Sequence, residues 1–342
     1  MRLAYTEDQE LFRDTVRDFL ADRCTGTDVR AAWAADSAIS TRWAELAKVG
    51  VTGIVVPEEH DGLGMGDEEL AAVLVETGYA ALPEPLLESA VAVGLLAEFA
   101  ADAGWLAEIA AGRATASVLL PGRRLAVEAA AADVLVIGLD NGDLHVTDPG
   151  ACELTAHRSV DRSRKLYTVG FQPTPETLVA SGAQRALARA SNRGALGAAA
   201  QLLGLTRRML DMTVDYAKQR VQRGVRIGTH QSVQHHLANV LIKLEFARPV
   251  VLRAAYSLAR DLPSADRDVS MAKIYAGEAA DLAARNCLQV HGAIGYTEEH
   301  DLQLFMKRAW ALGTAWGDAG EHRDRIATDL LGDAPAPSTP SF

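Results

Sequence analysis

The sequence has few cysteines, no long apolar run and no excess of basic residues. Its three cysteines, Cys24, Cys152 and Cys287, are far apart and lack metal-ligand spacing. They are therefore predicted to be reduced thiols of a cytoplasmic protein, and no metal site is expected. No apolar run approaches the roughly 20 residues of a membrane-spanning helix, and the polar first residues do not resemble a signal peptide.

Basic residues are outnumbered by acidic ones, because 34 Lys and Arg stand against 45 Asp and Glu, a net charge of −11. This balance argues against general nucleic-acid binding, which leaves a basic footprint. The apolar share of 49% and the charged share of 23% are close to the average of globular proteins. A length of 342 residues favours about two domains, or one large domain with insertions.

The order of sequence patterns is helices, a small sheet, then helices again. Apolar residues recur at helical spacing from the capping-box pair Thr6 and Gln9 to about residue 111. From about Gln184 onward the long helical patterns favour an antiparallel bundle. The fold is thus predicted to be mainly α with a small middle β domain. The expected bounds are 1–113 for an N-terminal helical domain, 114–180 for a reduced β domain, 181–332 for a C-terminal four-helix bundle and 333–342 for a loose, Pro-rich tail.

The middle segment contains four short runs rich in Val and Leu, which predict strands at 116–120, 134–137, 144–146 and 166–169. Asn141 and Gly142 lie between the second and third runs. Because Asn-Gly tolerates positive φ angles, the pair predicts a two-residue hairpin with a type I′ turn.

Charge is concentrated in the first half of the C-terminal segment. Between Arg185 and Arg260 there are 13 Lys and Arg but only three acids, Asp211, Asp215 and Glu245. Either these cations are solvated helix faces that pair with acids elsewhere, or they bind an anionic partner at one place.

Two segments carry the residue types of a phosphate-binding site. The first runs from Tyr216 to Gln231, and its Arg220 offers a planar fork suited to a diphosphate. A new helix begins near Gln231, and helix N-termini favour anions. The second runs from Gln289 to Glu299, where small residues at Gly292, Ala293 and Gly295 let a ligand approach the backbone closely.

Both segments resemble motifs of the acyl-CoA dehydrogenase family of flavoproteins, which read Arg-x-Gln/Thr-Phe-Gly-x-x-Ile-x-x-x-Gln and Gln-x-x-Gly-Gly-x-Gly-Tyr. The Pro57-Glu58-Glu59 stretch and the Gly62-Leu63-Gly64 stretch are similar to the N-terminal domain of that family. The resemblance covers about residues 4–330 and implies the same helix–sheet–helix fold. Arg223 departs from it, because the family usually has Phe there.

The resemblance implies an FAD cofactor shared between two subunits, with its flavin ring in one and its pyrophosphate and adenine against the two motifs of the other. The residues that would hold the pyrophosphate and adenine are Arg220, Gln222, Arg223, Gly224, Ile227, Gln231, Gln289, Val290, Gly292 and Ala293. The family's flavin-ring loops, Thr-Glu-Pro-x-Ala-Gly-Ser-Asp and Trp-x-Thr-Asn, have no counterpart in the middle segment. The flavin-ring cradle of this chain is therefore expected to be defective.

The catalytic base of the family also has no counterpart. Removal of an α-proton requires a carboxylate within hydrogen-bond reach, and the resemblance implies two places for it, which are Gly317 and about Gly194 here. Asp318 is a weak candidate for the base, and capping the helix that follows is the better interpretation. His230, His235, His236 and His291 could titrate, but surface or capping roles are the better interpretation for them.

The sequence resembles the shortened subunits of heteromeric acyl-CoA dehydrogenases of actinobacterial steroid degradation. This similarity implies a heterotetramer with a second acyl-CoA dehydrogenase subunit, an acyl-CoA substrate for which a steroid side-chain ester is one candidate, and an electron-transfer acceptor. Two alternatives stay open, namely a self-sufficient homomeric enzyme and a flavin-free scaffold.

Overall fold

The computed structural model describes residues 4–332, and the predicted tail at 333–342 lies outside the described residues. Six helices come first in the chain: α1 (Glu7–Arg23), α2 (Gly26–Ala34), α3 (Arg42–Lys48), α4 (Asp67–Ala80), α5 (Leu86–Phe99) and α6 (Trp105–Ala110). The predicted capping box at the start of α1 is present. Gln9 N–H donates to Thr6 Oγ1 at 3.2 Å, and Thr6 N–H donates to Gln9 Oε1 at 2.9 Å.

Seven strands follow: β1 (Ala116–Leu119), β2 (Ala126–Val127), β3 (Val134–Gly138), β4 (Leu144–Thr147), β5 (Glu153–His157), β6 (Leu166–Gly170) and β7 (Leu178–Ala180). They form one sheet in the order β1-β3-β4-β7 and a second in the order β2-β6-β5, with β1 and β3 parallel. The four predicted strands are present, whereas β2, β5 and β7 escaped the sequence analysis. Their burial explains the omission in part, because β5 is mostly exposed and lacks an apolar face.

The hairpin between β3 and β4 differs from the predicted two-residue type I′ turn. Leu139 N–H donates to Asp143 O and Gly142 N–H donates to Leu139 O, both at 2.9 Å, so three residues form the loop. Only Gly142 has a positive φ, of 88°, whereas Asn141 does not. This is the arrangement of a turn followed by one left-handed residue, which supplies the twist that a type I′ pair would otherwise give.

The remaining elements are again helical except for one small hairpin. They are α7 (Gln184–Gln219), the hairpin strands β8 (Val221–Gln222) and β9 (Val225–Arg226), α8 (Gln231–Ala259), α9 (Ala265–His291), α10 (Leu302–Thr314) and α11 (Ala319–Leu331). Helix α9 packs against both α7 and α8. The predicted order of helices, sheet and helices is confirmed, and in the described residues no helix is both long and apolar enough to cross a membrane.

A buried ion pair connects the three parts of the chain. Arg308 of α10 pairs with Asp161, which follows β5, and also donates to Leu82 O at 2.8 Å near the end of α4. Both charged side chains are almost fully buried. Burial alone would raise the pKa of Asp161, but Arg308 and the Ser163 hydroxyl reverse this effect and lower it. The pair therefore fixes α10 against the sheet and the N-terminal helices.

Candidate functional site

The two sequence motifs meet at one cleft of about 710 Å³, which we call the motif cleft. The end of α7, the β8–β9 hairpin, the start of α8 and the end of α9 form its walls. Seven of the ten predicted cofactor residues line it: Arg220, Gln222, Ile227, Gln289, Val290, Gly292 and Ala293. Residues about 70 positions apart in the sequence thus come together.

The other three predicted residues do not line the motif cleft. Arg223 and Gly224 form the tip of the β8–β9 hairpin, with φ angles of 49° and 83°. Two positive φ angles in a two-residue loop are typical of a type I′ turn, and Arg223 is not among the described residues that line the cleft. Gln231 is exposed at the first turn of α8, one residue before Ser232, which does line the cleft.

The structure resolves the cationic cluster into two groups. Most of its members pair with acids, for example Arg193 with Asp67 at 2.6 Å and Lys243 with Glu278 at 3.2 Å. In contrast, none of the acids in residues 4–332 pairs with Arg220, Arg223 or Arg226, and their guanidinium groups make no hydrogen bond in that range. Most cations of the cluster therefore belong to paired helix faces. Only Arg220, Arg223 and Arg226, in and just before the β8–β9 hairpin, stay candidates for binding an anionic partner.

The electrostatics of the motif cleft favour an anion. Arg220 lines the same cleft as Ser232 and Val233 of the first turn of α8, and none of the described residues that line the cleft is acidic. No side chain caps this helix N-terminus, so its free N–H groups add positive potential. Arg220 together with this helix end can hold a phosphate group.

The turn at Gly292 leaves room for a ligand against the backbone. Gly292 has a φ of 65° and a ψ of −141°, a backbone conformation that residues other than glycine avoid. Within residues 4–332, no heavy atom outside Gly292 and its two chain neighbours lies within 4 Å of the place where its Cβ would stand. A phosphate or sugar can therefore approach this backbone, and the residues of the motif cleft fit a dinucleotide.

A second cleft of about 590 Å³, which we call the tryptophan cleft, lies between the strands and α10. Trp310 and Trp316 form part of its wall, and Glu88 and four arginines supply charges, namely Arg123, Arg124, Arg158 and Arg164. Arg124 and Arg158 pair with none of the acids in residues 4–332, whereas the other two arginines are paired. Arg164 lies 3.1 Å from Glu88, and Arg123 lies 2.7 Å from Glu321.

No sequence pattern predicted the tryptophan cleft. Glu88 was the available signal, because it is the only acid in the otherwise apolar stretch Leu86–Leu96, and it is buried. Its Oε1 atom is close to Arg164 but is not aligned for a hydrogen bond. Its partner Arg164 lies between β5 and β6, so the residues around Glu88 did not indicate the pair.

The space beside both expected base positions is filled. The indole of Trp316 lies on Gly194, where an added Cβ would be 2.2 Å from Cε3 of the ring. Gly317 has a φ of 100°, and a Cβ there would be 2.7 Å from His322 Nε2. No side chain fits at either position unless its neighbours move.

Two buried side chains hold the loop between α10 and α11, residues 315–318, which contains Trp316. Lys273 Nζ donates to Gly313 O at 2.9 Å and to Gly317 O at 2.8 Å, and burial lowers the pKa of Lys273 to about 7. His322 Nε2 donates to Trp316 O at 3.1 Å. Burial, together with Lys273, lowers the pKa of His322 to about 4.

Asp318 has the geometry of a helix cap. It is exposed, and its Oδ1 accepts a hydrogen bond of 2.9 Å from Glu321 N–H at the start of α11. Hydrogen bonds from the backbone of Glu321 and Gly320 lower the pKa of Asp318. A general base that removes a weakly acidic proton needs the opposite shift, so the capping interpretation is the better one.

Comparisons with known proteins agree with this architecture. The family models "Acyl-CoA dehydrogenase, N-terminal domain" and "Acyl-CoA dehydrogenase, C-terminal domain" match residues 6–113 and 180–331. The chain is 32% identical to the acyl-CoA dehydrogenase IpdE2 of Mycobacterium tuberculosis, over 89% of this chain and 91% of that protein.

Two solved structures share the fold over nearly the whole chain. A chain of the ChsE4-ChsE5 complex from Mycobacterium tuberculosis superposes with a TM-score of 0.87 at 25% identity, covering 98% of this chain and 100% of that one. A variant of the Tcur3481-Tcur3483 steroid ACAD superposes with a TM-score of 0.86 at 23% identity, covering 96% and 98%. Matching family models over more than half of its residues, and a relative similar over nearly its whole length, show that this chain belongs to the acyl-CoA dehydrogenase family.

Proposed function

We propose that this chain is a subunit of an FAD-dependent acyl-CoA dehydrogenase, and that a second acyl-CoA dehydrogenase subunit completes the site. The motif cleft of this chain receives the pyrophosphate and adenine of FAD, whose flavin ring belongs to the partner. Bound FAD supplies a hydride acceptor for α,β-desaturation of an acyl-CoA, and the electrons pass to an electron-transfer acceptor. The assembly is a cytoplasmic heterotetramer with two subunits of each kind.

The unpartnered guanidinium of Arg220 carries this proposal. It lines a cleft without acids, whereas most other cations of the same region are paired. Among the described residues of the cleft, the side-chain amides of Gln222 and Gln289 also make no hydrogen bond. Unpaired polar groups that face one cleft are typical of a ligand site, and Arg is suited to a diphosphate because its planar fork binds two oxygens at once.

The partner subunit supplies the catalytic base in this proposal. Both base positions implied by the family are glycine here, and Trp316 and His322 fill the space beside them. The names of the two solved structures support a two-protein assembly, since ChsE4-ChsE5 is called a complex and Tcur3481-Tcur3483 a steroid ACAD. A steroid side-chain CoA ester is accordingly the substrate class that we propose.

Co-expression with the partner subunit tests the proposal. We expect a yellow complex in which Arg220→Ala weakens FAD binding by about tenfold to a hundredfold, the range for a lost charge-assisted hydrogen bond. Arg226→Ala is the matched control, because Arg226 is equally unpartnered but does not line the cleft. FAD content is measured by flavin absorbance after gel filtration at a fixed, low concentration of free FAD.

Three outcomes would contradict the proposal. Equal flavin loss with both variants would show only a general charge effect. Unchanged flavin content with Arg220→Ala would favour a flavin-free scaffold. If the chain expressed alone is yellow and reduces an electron acceptor with an acyl-CoA, it is a self-sufficient enzyme.

A further inference from the structure

His291 is the last residue of α9 and lines the motif cleft, although its side chain is almost fully buried. Its ring stacks on Tyr216, with centroids 4.4 Å apart and planes at 20°. The His300 ring lies across it at 4.6 Å and 64°. Two aromatic neighbours therefore fix the plane of the imidazole.

The protonation of this ring follows from one hydrogen bond. His291 Nδ1 lies 2.8 Å from Cys287 O, and a carbonyl oxygen can only accept. Nδ1 must therefore carry the proton, which leaves Nε2 as an acceptor in the neutral ring. Burial, and to a lesser extent His300, lower the pKa of His291, so the neutral form dominates near pH 7.

His291 Nε2 has no hydrogen-bond partner among residues 4–332, and water does not reach it. A buried acceptor without a donor is unfavourable and is uncommon in native proteins. Of the polar side chains that line the motif cleft, this is the buried one with an unsatisfied acceptor atom. A donor from the ligand would satisfy it.

We propose that His291 Nε2 accepts a hydrogen bond from a hydroxyl or amino group on the nucleoside part of the bound dinucleotide. This inference rests on the proposed function, since it concerns the ADP half of the same ligand. Phosphate oxygens of a diphosphate ester are ionised at neutral pH and have no proton to donate. The phosphates therefore lie at the Arg220 end of the cleft, and the ribose or adenine lies at the His291 end.

The donor reaches Nε2 when one neighbouring ring turns aside. His300 is the less restrained of the two neighbours, because its side chain is only partly buried. Its Nδ1 accepts one hydrogen bond, of 3.2 Å, from Leu302 N–H. His291 is thus a positioning residue that sets the direction of the dinucleotide in the cleft. It takes no part in the chemical step.

Calorimetric titration of the full-length chain with ADP and three analogues tests this inference. The analogues are 2′-deoxy-ADP, 3′-deoxy-ADP and purine riboside 5′-diphosphate, each of which lacks one donor. We expect one analogue to bind the wild-type chain about five- to tenfold more weakly than ADP, the usual effect of one hydrogen bond. We expect His291→Leu to bind ADP more weakly than the wild type does, by a similar factor. The same analogue should bind this variant as tightly as ADP does.

Two variants distinguish an acceptor from a purely structural ring. His291→Gln places an amide oxygen near the position of Nε2 and should keep ADP affinity within about threefold. His300→Asn should not change the ranking of the analogues, since its side-chain oxygen can still accept from Leu302 N–H. Both variants are checked for folding by circular dichroism before titration.

The inference fails if the analogues lose the same affinity in the wild type and in His291→Leu, or if none of them loses affinity in the wild type. It also fails if the wild-type chain does not bind ADP. Flavin lost from the Arg220→Ala complex, combined with no coupling to His291, would reject this inference alone. A complex without flavin would reject the proposed function as well.

Discussion

The motif cleft and the tryptophan cleft are similar in volume but differ in the charges that line them. In the motif cleft, Arg220 has no partner within residues 4–332, and the amides around it are free. In the tryptophan cleft, Arg164 pairs with the buried Glu88 and Arg123 pairs with Glu321, whereas Arg124 and Arg158 pair with none of the acids in residues 4–332. A cation that pairs with a buried acid contributes to the fold, whereas an unpaired cation in a cleft is available to a ligand. The comparison teaches that the pairing of each arginine has to be considered together with the acids of the same lining, because Glu88 lines the tryptophan cleft and none of the described residues that line the motif cleft is acidic.

The largest expected effect is a difference in unfolding free energy between a variant of the tryptophan cleft and a variant of the motif cleft. Arg164→Ala leaves the buried carboxylate of Glu88 without its cation, which costs about 3–5 kcal/mol of unfolding free energy. Arg220→Ala should change the unfolding free energy by less than about 0.5 kcal/mol, because Arg220 is exposed and unpartnered. Urea unfolding at pH 7 measures both variants.

A double variant provides the control for this difference. Glu88→Leu combined with Arg164→Met removes both charges and should recover most of the stability that Arg164→Ala loses. If Arg164→Ala and Arg220→Ala are equally stable, the distinction between paired and ligand-facing arginines is wrong.

A smaller effect on the unfolding free energy is expected from His322, which donates a hydrogen bond to Trp316 O in the wall of the tryptophan cleft. Because its pKa is about 4 in the folded chain and about 6.5 when unfolded, the unfolded chain binds more protons between these values. The stability due to neutral His322 is complete above about pH 6.5 and is lost as the pH falls through about 4. The loss should be about 3 kcal/mol.

Urea unfolding between pH 4 and pH 7 measures this dependence. His322→Gln should flatten the curve relative to the wild type, whereas His291→Leu should change mainly nucleotide binding. An unchanged slope in His322→Gln would show that other groups cause the acid sensitivity.

The smallest effect is expected at Asp318, beside the tryptophan cleft. Asp318→Ala removes the cap of α11 and should cost about 1 kcal/mol in urea unfolding. Asp318→Asn keeps a capping oxygen and should leave the turnover of the complex within about twofold. A loss of about a hundredfold or more with Asp318→Asn would identify Asp318 as the general base and contradict our interpretation.

Local patterns made much of the fold predictable. The capping box at Thr6 and Gln9, the long helical patterns after Gln184 and the apolar runs of β1, β3, β4 and β6 all depend on neighbours within a few residues. The prediction of a two-residue turn at Asn141 was wrong, because the loop length is set by the strand ends. These ends depend on the pairing between β3 and β4. The exposed strand β5 has no apolar face and is held by its pairing with β6, so its own residues did not indicate it.

The sequence by itself determined the family, the order of helices and strands, and the residue types of the two motifs, because these are written in local periodicity and short spacing. Only the tertiary structure decided which of the cations are paired, that the hairpin turn excludes Arg223 from the cleft, and that Trp316 lies on Gly194. These facts depend on side chains distant in sequence that become neighbours on folding. Pairing and burial set the free energy of a charge or an acceptor, and both are properties of the folded chain.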